Sequence, residues 1–440
     1  MLTFLIILLF FALMIILSWR TRKVESVEQF LIGRRDFGHI QVCSGLFTLI
    51  GGGEFVTLTL LGYLFGWSAI ALFAGYSLGF VLLAFLAPKL RAQASERQYI
   101  SLPDYVHHNF GQLAGTIVFT VSFLAFFALL MLQFSAVGAV ISPLTGLDRT
   151  VVIFGTGLVI IAYLVKSGFQ AVMRTDVIQS IAMIILAPAL LFAATQHANV
   201  SMDFSKGSEG MLPKEMWLSL VCTGALIAAA SADVWQRAYA ASSDRTARIG
   251  FLMGAGVFMI IGFVGIGFGV LAYSLALPDP NTAFVEILSN HLQPSLGFAV
   301  ALLVLSALMS TADTEIFLLT GLIAHEQARW GGRSSITKLS TIRILLVIVA
   351  VASLVAAYYF SDLVAIYTWL LSALVTISPA IVGSLLIPTD KRTFIASTSA
   401  GIIAMVAGIG VDKLNFDNLY MTALPAAVVF IICSFVFKRS

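Results

Sequence analysis

Charge is scarce in this chain. Only 11% of its 440 residues are Asp, Glu, Lys or Arg, while 59% are hydrophobic. An average soluble domain carries about 25% charged residues. That deficit excludes one large water-soluble core and points to an all-α polytopic membrane protein whose first partner is the lipid bilayer. No nucleic acid is expected among its partners. Cysteine is scarce too. Cys43, Cys222 and Cys433 all fall inside apolar stretches, with no disulfide framework and no zinc spacing, so they read as small buried packing residues. The first apolar stretch lacks a basic start and a small-residue cleavage site, and ends at the basic run Arg20–Lys23. It reads as a retained helix with its amino terminus outside, not a signal peptide. Long loops are missing. The longest outer one runs from about His197 to Glu215, and the absence of an appended soluble domain disfavours a receptor or tethered kinase. His325-Glu326 lacks the second histidine of a zinc-protease helix, and no enzyme is expected.

What is present is hydrocarbon-compatible sequence. Thirteen apolar stretches run from residues 2–19 to residues 418–437. With the amino terminus outside, all but four of the 25 Lys and Arg fall in inner loops; the exceptions are Arg149, Lys206, Lys214 and Lys413. A bias this large fixes the orientation, with the carboxy terminus inside, and places the chain as a multi-pass protein of the cytoplasmic membrane. The expected organisation is an N-terminal helix and basic loop (1–37), a first five-helix unit (38–195), an outer loop (196–215), a second five-helix unit of opposite topology (216–390) and two C-terminal helices (391–440).

Polar residues inside apolar spans carry the functional signal, because a carboxylate or hydroxyl in hydrocarbon faces protein or a wet cavity. Stretch 41–66 holds Gly51-Gly52-Gly53-Glu54. Three glycines weaken a helix by about 1 kcal/mol each relative to alanine. An unwound turn there would free carbonyls of the kind transporters offer to ions; close helix packing is the alternative. Stretch 216–235 contains Gly224 and the small run Ala228–Ala232, which lets a neighbour or a substrate approach closely. These two stretches stand five apart, as expected for discontinuous first helices of two inverted repeats.

Stretch 296–323 carries Ala307, Ser310, Thr311 and Thr314 on one helical face. Such a stripe serves either as glue between helices or as hard oxygen ligands for a small cation. Asp233 and Arg237 are four apart, and their simplest reading is a local ion pair at the membrane boundary. Asp176 either pairs with Arg174 or Lys166 or lines an inner ion exit. Glu54, Gln133, Tyr367 and Trp369 are candidates to face a central solute cavity.

Five motifs in order resemble the sodium:solute symporter family, which includes sodium/proline, sodium/pantothenate and sodium/glucose transporters. They are Phe30–Arg35, Ser101–Val106, Gly168–Val172 with Thr175–Gln179, Asp233–Arg237, and Ala307–Asp313, and the likeness extends from about Phe30 to Arg392. The resemblance implies a leucine-transporter-type fold: a ten-helix core of two inverted five-helix repeats, here with one N-terminal and two C-terminal helices added, making 13 transmembrane helices. It implies a sodium ion bound by the Ser310 and Thr311 side chains and by the backbone carbonyls of Ala307, Thr48 and Gly51. It also matches Asp176 to the family's acid near the sodium exit. Sugar-transporting members place an asparagine and a tyrosine where this chain has Gly224 and Ile227, and a lysine in the next helix that is absent between Ile249 and Leu277. The expected function is therefore sodium-coupled symport of a small organic solute, an amino acid, carboxylate or vitamin rather than a sugar. Proton coupling through Glu54 or Asp313, or a sensor of the same fold without flux, are the alternatives.

Overall fold

The computed structural model describes residues 2–21, 23–47, 49–198, 200, 214–331, 338–359, 363–411 and 419–437. Among the described residues, seventeen α-helices run in the order α1 (Leu2–Trp19), α2 (Val27–Ile32), α3 (His39–Phe47), α4 (Gly52–Phe65), α5 (Ile70–Arg97), α6 (Leu102–Thr145), α7 (Arg149–Ser167), α8 (Phe169–Ala198), α9 (Lys214–Ala230), α10 (Ala232–Ala240), α11 (Asp244–Ser274), α12 (Ala283–Asn290), α13 (Gly297–Gly331), α14 (Leu339–Tyr359), α15 (Leu363–Leu386), α16 (Lys391–Gly410) and α17 (Tyr420–Val436). Among the described residues, eight helices are long and apolar enough to cross a membrane, or nine if one bent pair is a single span. Three shorter apolar helices accompany them, Thr3–Trp19, Leu370–Leu386 and Tyr420–Val436. With no water in hydrocarbon to satisfy backbone groups, helix is the structure an apolar chain of this kind can adopt.

Helix packing divides the molecule into two groups. In one, α11 packs against α3, α4 and α5, and α5 also packs against α9. In the other, α6, α7, α13 and α14 pack on one another. Helix α8 touches both, meeting α13 on one side and α3 on the other.

Small residues set the closest approach. A Cβ on Gly75 of α5 would run into the Val221 carbonyl of α9, and one on Gly224 would run into the Leu72 carbonyl of α5. Gly224 of stretch 216–235 thus serves a neighbouring helix, as tight membrane packing requires. The cysteines divide: Cys43 is buried, Cys433 half-buried, and Cys222, expected to be buried, is exposed on the outer face of α9.

Three helices are interrupted, each where the sequence allows it. The first break separates α3 from α4, with Gly51 extended at φ −89° and ψ −172°. The second bends α9 from α10 by 52° at Ser231. It frees the Ala229 carbonyl, which accepts a 2.7 Å hydrogen bond from Trp235 Nε1, the internal satisfaction a membrane interior demands. The third kinks α6 at Gly111, whose φ of +87° is one that glycine tolerates and side chains resist. The lead-in to α3 and the exit from α10 are tied together: Phe37 N donates to Ala240 O at 3.3 Å and Ser242 N to Phe37 O at 3.0 Å. Arg35 straps the same end, reaching Glu28 Oε1 at 3.1 Å, Tyr99 O at 2.9 Å and Tyr239 O at 3.4 Å.

Candidate functional site

The break between α3 and α4 is built by two side chains. Glu54, in the first turn of α4, accepts through one oxygen from Gly51 N (2.8 Å) and from Gln133 Nε2 of α6 (2.8 Å). Gln133 Oε1 in turn accepts from Gly53 N at 3.1 Å. A helix start leaves backbone N–H groups without partners, and a carboxylate there is also favoured by the helix dipole. Both residues are buried. The structure therefore engages two of the sequence candidates for solute contact in holding the interrupted helix. Removing a capping carboxylate costs about 0.5–2 kcal/mol. Glu54→Ala is accordingly expected to lower the unfolding midpoint in detergent, and Glu54→Gln, which can still accept from Gly51 N, to lower it less. Equal losses in the two variants would show that the cap is not what Glu54 provides.

The break meets α13 at the hydroxyl-bearing face. A Cβ on Gly51 would stand 2.5 Å from Thr311 Oγ1, and one on Gly52 would stand 3.4 Å from Leu308 Cβ. Only a bare backbone fits between α13 and Gln133, which is a physical reason for glycine at position 51. Thr311 Oγ1 donates to Ala307 O at 3.2 Å. Ser310 points to a different neighbour, donating to Asp176 Oδ1 of α8 at 2.8 Å. Ser310, Thr311 and Thr314 are all fully buried in protein and none faces lipid. Each hydroxyl that donates its proton keeps oxygen lone pairs for a cation. The structure thus brings Gly51, Ala307 and Thr311 together, with Ser310 and Asp176 on the adjoining side. Thr48 lies outside the described residues, as do the side chains of Tyr367 and Trp369.

Asp176 is not paired with Arg174 or Lys166. Its Oδ2 lies 3.4 Å from Arg237 Nη2, with both side chains fully buried. This also corrects the local pairing expected between Asp233 and Arg237. The bend at Ser231 turns α10 so that Ser231 Oγ donates to Asp233 Oδ1 at 2.6 Å, and Arg237 projects inward. There it donates to Thr314 Oγ1 at 2.7 Å and lies 5.0 Å from the centre of the Phe169 ring. Gly45 of α3 makes room, since a Cβ there would stand 2.6 Å from Arg237 Cδ. One turn along α13, Asp313 Oδ2 accepts from Tyr163 Oη at 2.7 Å and from Thr175 Oγ1 at 3.3 Å. Glu315 is buried with neither carboxylate oxygen hydrogen-bonded among the described residues. Arg237 is the sole Lys or Arg among the described buried residues, and it stands in the midst of these acids.

The sequence reading missed Tyr163, Glu315 and the inward course of Arg237. Spacing along one helix cannot reveal a partner 61 residues away. The available signal was Gly45, a small residue opposite a long one.

Comparison with known proteins bears on the family and the fold. The model of the sodium:solute symporter family matches residues 30–388. The human high affinity choline transporter 1 is 25% identical over 363 residues, 73% of this chain and 61% of that protein. The match thus spans about three fifths of that relative's length. A sodium/proline symporter 2 of Staphylococcus saprophyticus is 23% identical over 357 residues, 74% of this chain and 68% of that protein. In three dimensions the chain resembles a Na+-coupled sialic acid symporter in a substrate-bound outward-open state, with a TM-score of 0.83 at 14% identity over 100% of this chain and 98% of the other. It also resembles Mhp1, a nucleobase-cation-symport-1 family transporter, at a TM-score of 0.63 and 16% identity over 93% and 95% of the two chains. The family and these neighbours are transporters, not enzymes. An all-helical membrane fold shared with such transporters, and a family match over most of its length, make this chain a member of the sodium:solute symporter family.

Proposed function

We propose that the protein is a sodium-coupled symporter of a small organic solute in the cytoplasmic membrane, working by alternating access. The observation that carries the reading is the contact between the interrupted helix and the hydroxyl-bearing one, Gly51 against Thr311. Sodium is held there by Ser310 and Thr311 and by the carbonyls of Ala307, Gly51 and Thr48, and leaves inward past Asp176. The thirteen apolar stretches are thirteen crossings, ten of them forming two inverted five-helix repeats, with the amino terminus outside and the carboxy terminus inside. Binding joins the α3/α4 group to α13 of the second group, so it biases the conformer in which the two are in contact. A ligand shifts such an equilibrium only by its difference in affinity for the two states, and the mutual effect of sodium and solute is reciprocal. A membrane potential adds about 2.3 kcal/mol per charge per 100 mV in favour of inward release.

The solute is an amino acid, a carboxylate or a vitamin-like compound in this reading. Relatives described as proline, choline and sialic acid carriers support a small solute without selecting among them. Glu54 and Gln133 position the break beside the solute path. The test is a thermal-shift screen of the purified protein against amino acids, carboxylates, vitamins and sugars, with sodium or potassium. Uptake of any stabilising compound by proteoliposomes follows. Stabilisation and uptake that both need sodium are expected. Uptake that ignores sodium and follows a proton gradient would replace this reading with proton coupling.

A further inference from the structure

Where α5 ends and α6 begins, beside the far end of α13, lies an open cavity of about 470 Å3 that no transport step above uses. Arg97, His107, His108, His325 and Arg329 line it, and Asp104 is the one carboxylate among its lining residues. Both oxygens of Asp104 are already engaged. One accepts from Ile100 N at 2.7 Å and Ser101 N at 2.9 Å. The other meets His325 Nδ1 at 3.0 Å and Arg329 Nη2. Behind the wall, Glu326 is engaged likewise by His107 at 3.0 Å, Thr116 at 2.9 Å and Arg329 at 3.2 Å. Arg97 and the exposed His108 form no ion pair among the described residues. Tyr99, 6% exposed, stands beside Arg97 at the cavity wall. The cavity thus presents the Arg97 guanidinium beside imidazole and amide donors, with both Asp104 oxygens already engaged.

We infer that this cavity binds a phosphate-bearing anion. Guanidinium groups match the geometry of phosphate oxygens with paired donors. The volume is that of an ordinary small-ligand site and exceeds the needs of inorganic phosphate, so the phosphate belongs to a larger molecule, a soluble metabolite or a lipid headgroup. The ligand ties the end of α5 to α6 and α13. It does so beside Tyr99, whose carbonyl the Arg35 strap already holds. The inference stands on this cavity and not on the sodium site.

Two arms separate the sources. Delipidated protein in detergent is titrated with inorganic phosphate and with pyrophosphate, at ionic strength held constant with chloride. In parallel, protein is placed in nanodiscs of phosphatidylcholine with or without phosphatidylglycerol. A saturable rise in melting temperature is expected in at least one arm. Response to phosphate or pyrophosphate identifies a soluble ligand; response confined to phosphatidylglycerol identifies a headgroup. The Arg97→Gln/His108→Gln variant changes exposed side chains remote from Ser310 and Thr311. It is expected to raise the half-saturating concentration at least tenfold, or to abolish the lipid effect, while the sodium-dependent shift stays intact. Arg97→Gln alone gives the same comparison should the double variant express poorly. No response in either arm, or an equal response in parent and variant, overturns the inference.

Discussion

Replacing Ser310 and Thr311 together with alanine is expected to remove sodium-dependent stabilisation and sodium-dependent uptake. Each substitution deletes one oxygen from the proposed cation shell. If each oxygen contributes about 1.4 kcal/mol, the pair contributes about a hundredfold in half-saturating sodium. That moves the response beyond ordinary sodium concentrations. The two singles differ in their side effects, and this makes the experiment informative. Thr311 donates within its own helix, so Thr311→Ala withdraws that donor from the Ala307 carbonyl. Ser310 donates to a fully buried carboxylate, so Ser310→Ala withdraws a partner from Asp176. Leaving a buried acceptor unsatisfied costs about 1–3 kcal/mol. Ser310→Ala is therefore expected to lower the melting temperature even without sodium. Thr311→Ser, which keeps the hydroxyl, is expected to retain sodium dependence. A double alanine variant that responds to sodium as the parent does would show the cation lies elsewhere.

The interrupted helix was legible because three glycines and a carboxylate cannot stand in an apolar span without a reason in the surrounding protein. The face of α13 was legible because Ala307 and the hydroxyls of Ser310, Thr311 and Thr314, at i, i+3, i+4 and i+7, share one side of a helix. Those signals are local, and periodicity reports local structure well. The role of Glu54 was partly available, since an acid three residues after a helix start is a capping signal. It was obscured because the residue at the cap position is glycine, which has no side chain to complete the usual reciprocal pair. Asp176 and Arg237 defeat a local reading altogether. Arg237 has an acid four residues before it, the spacing of a helical ion pair, yet Ser231 takes that acid and the 52° bend directs the guanidinium to α8 and α13. What chooses the partner is the crossing of three helices, and no window along the chain contains it.

Arg237→Ala is expected to be among the most damaging single substitutions in this protein. The guanidinium is fully buried, 3.4 Å from Asp176 and hydrogen-bonded to Thr314. Removing one member of a buried pair typically costs about 3–5 kcal/mol, because the other is left charged and uncompensated. The cost here falls at the high end, since no other Lys or Arg is buried among the described residues while Asp313 and Glu315 stand close by. Arg237→Lys is expected to recover only part of it. A single ammonium cannot reach Asp176 and Thr314 and also stay over the Phe169 ring as the wider guanidinium fork does. The decisive variant is Arg237→Ala with Asp176→Asn. It removes the stranded carboxylate while leaving an amide that can still accept from Ser310. Its unfolding midpoint in detergent is expected to lie well above that of Arg237→Ala alone, in a non-additive cycle of the kind contacting charges produce. Additive losses would show that the two residues support the fold independently. If the rescued protein also keeps its sodium-dependent shift, Asp176 holds Ser310 in place without itself binding the ion. Loss of that shift at restored stability would instead make the Asp176 carboxylate part of the path the cation takes.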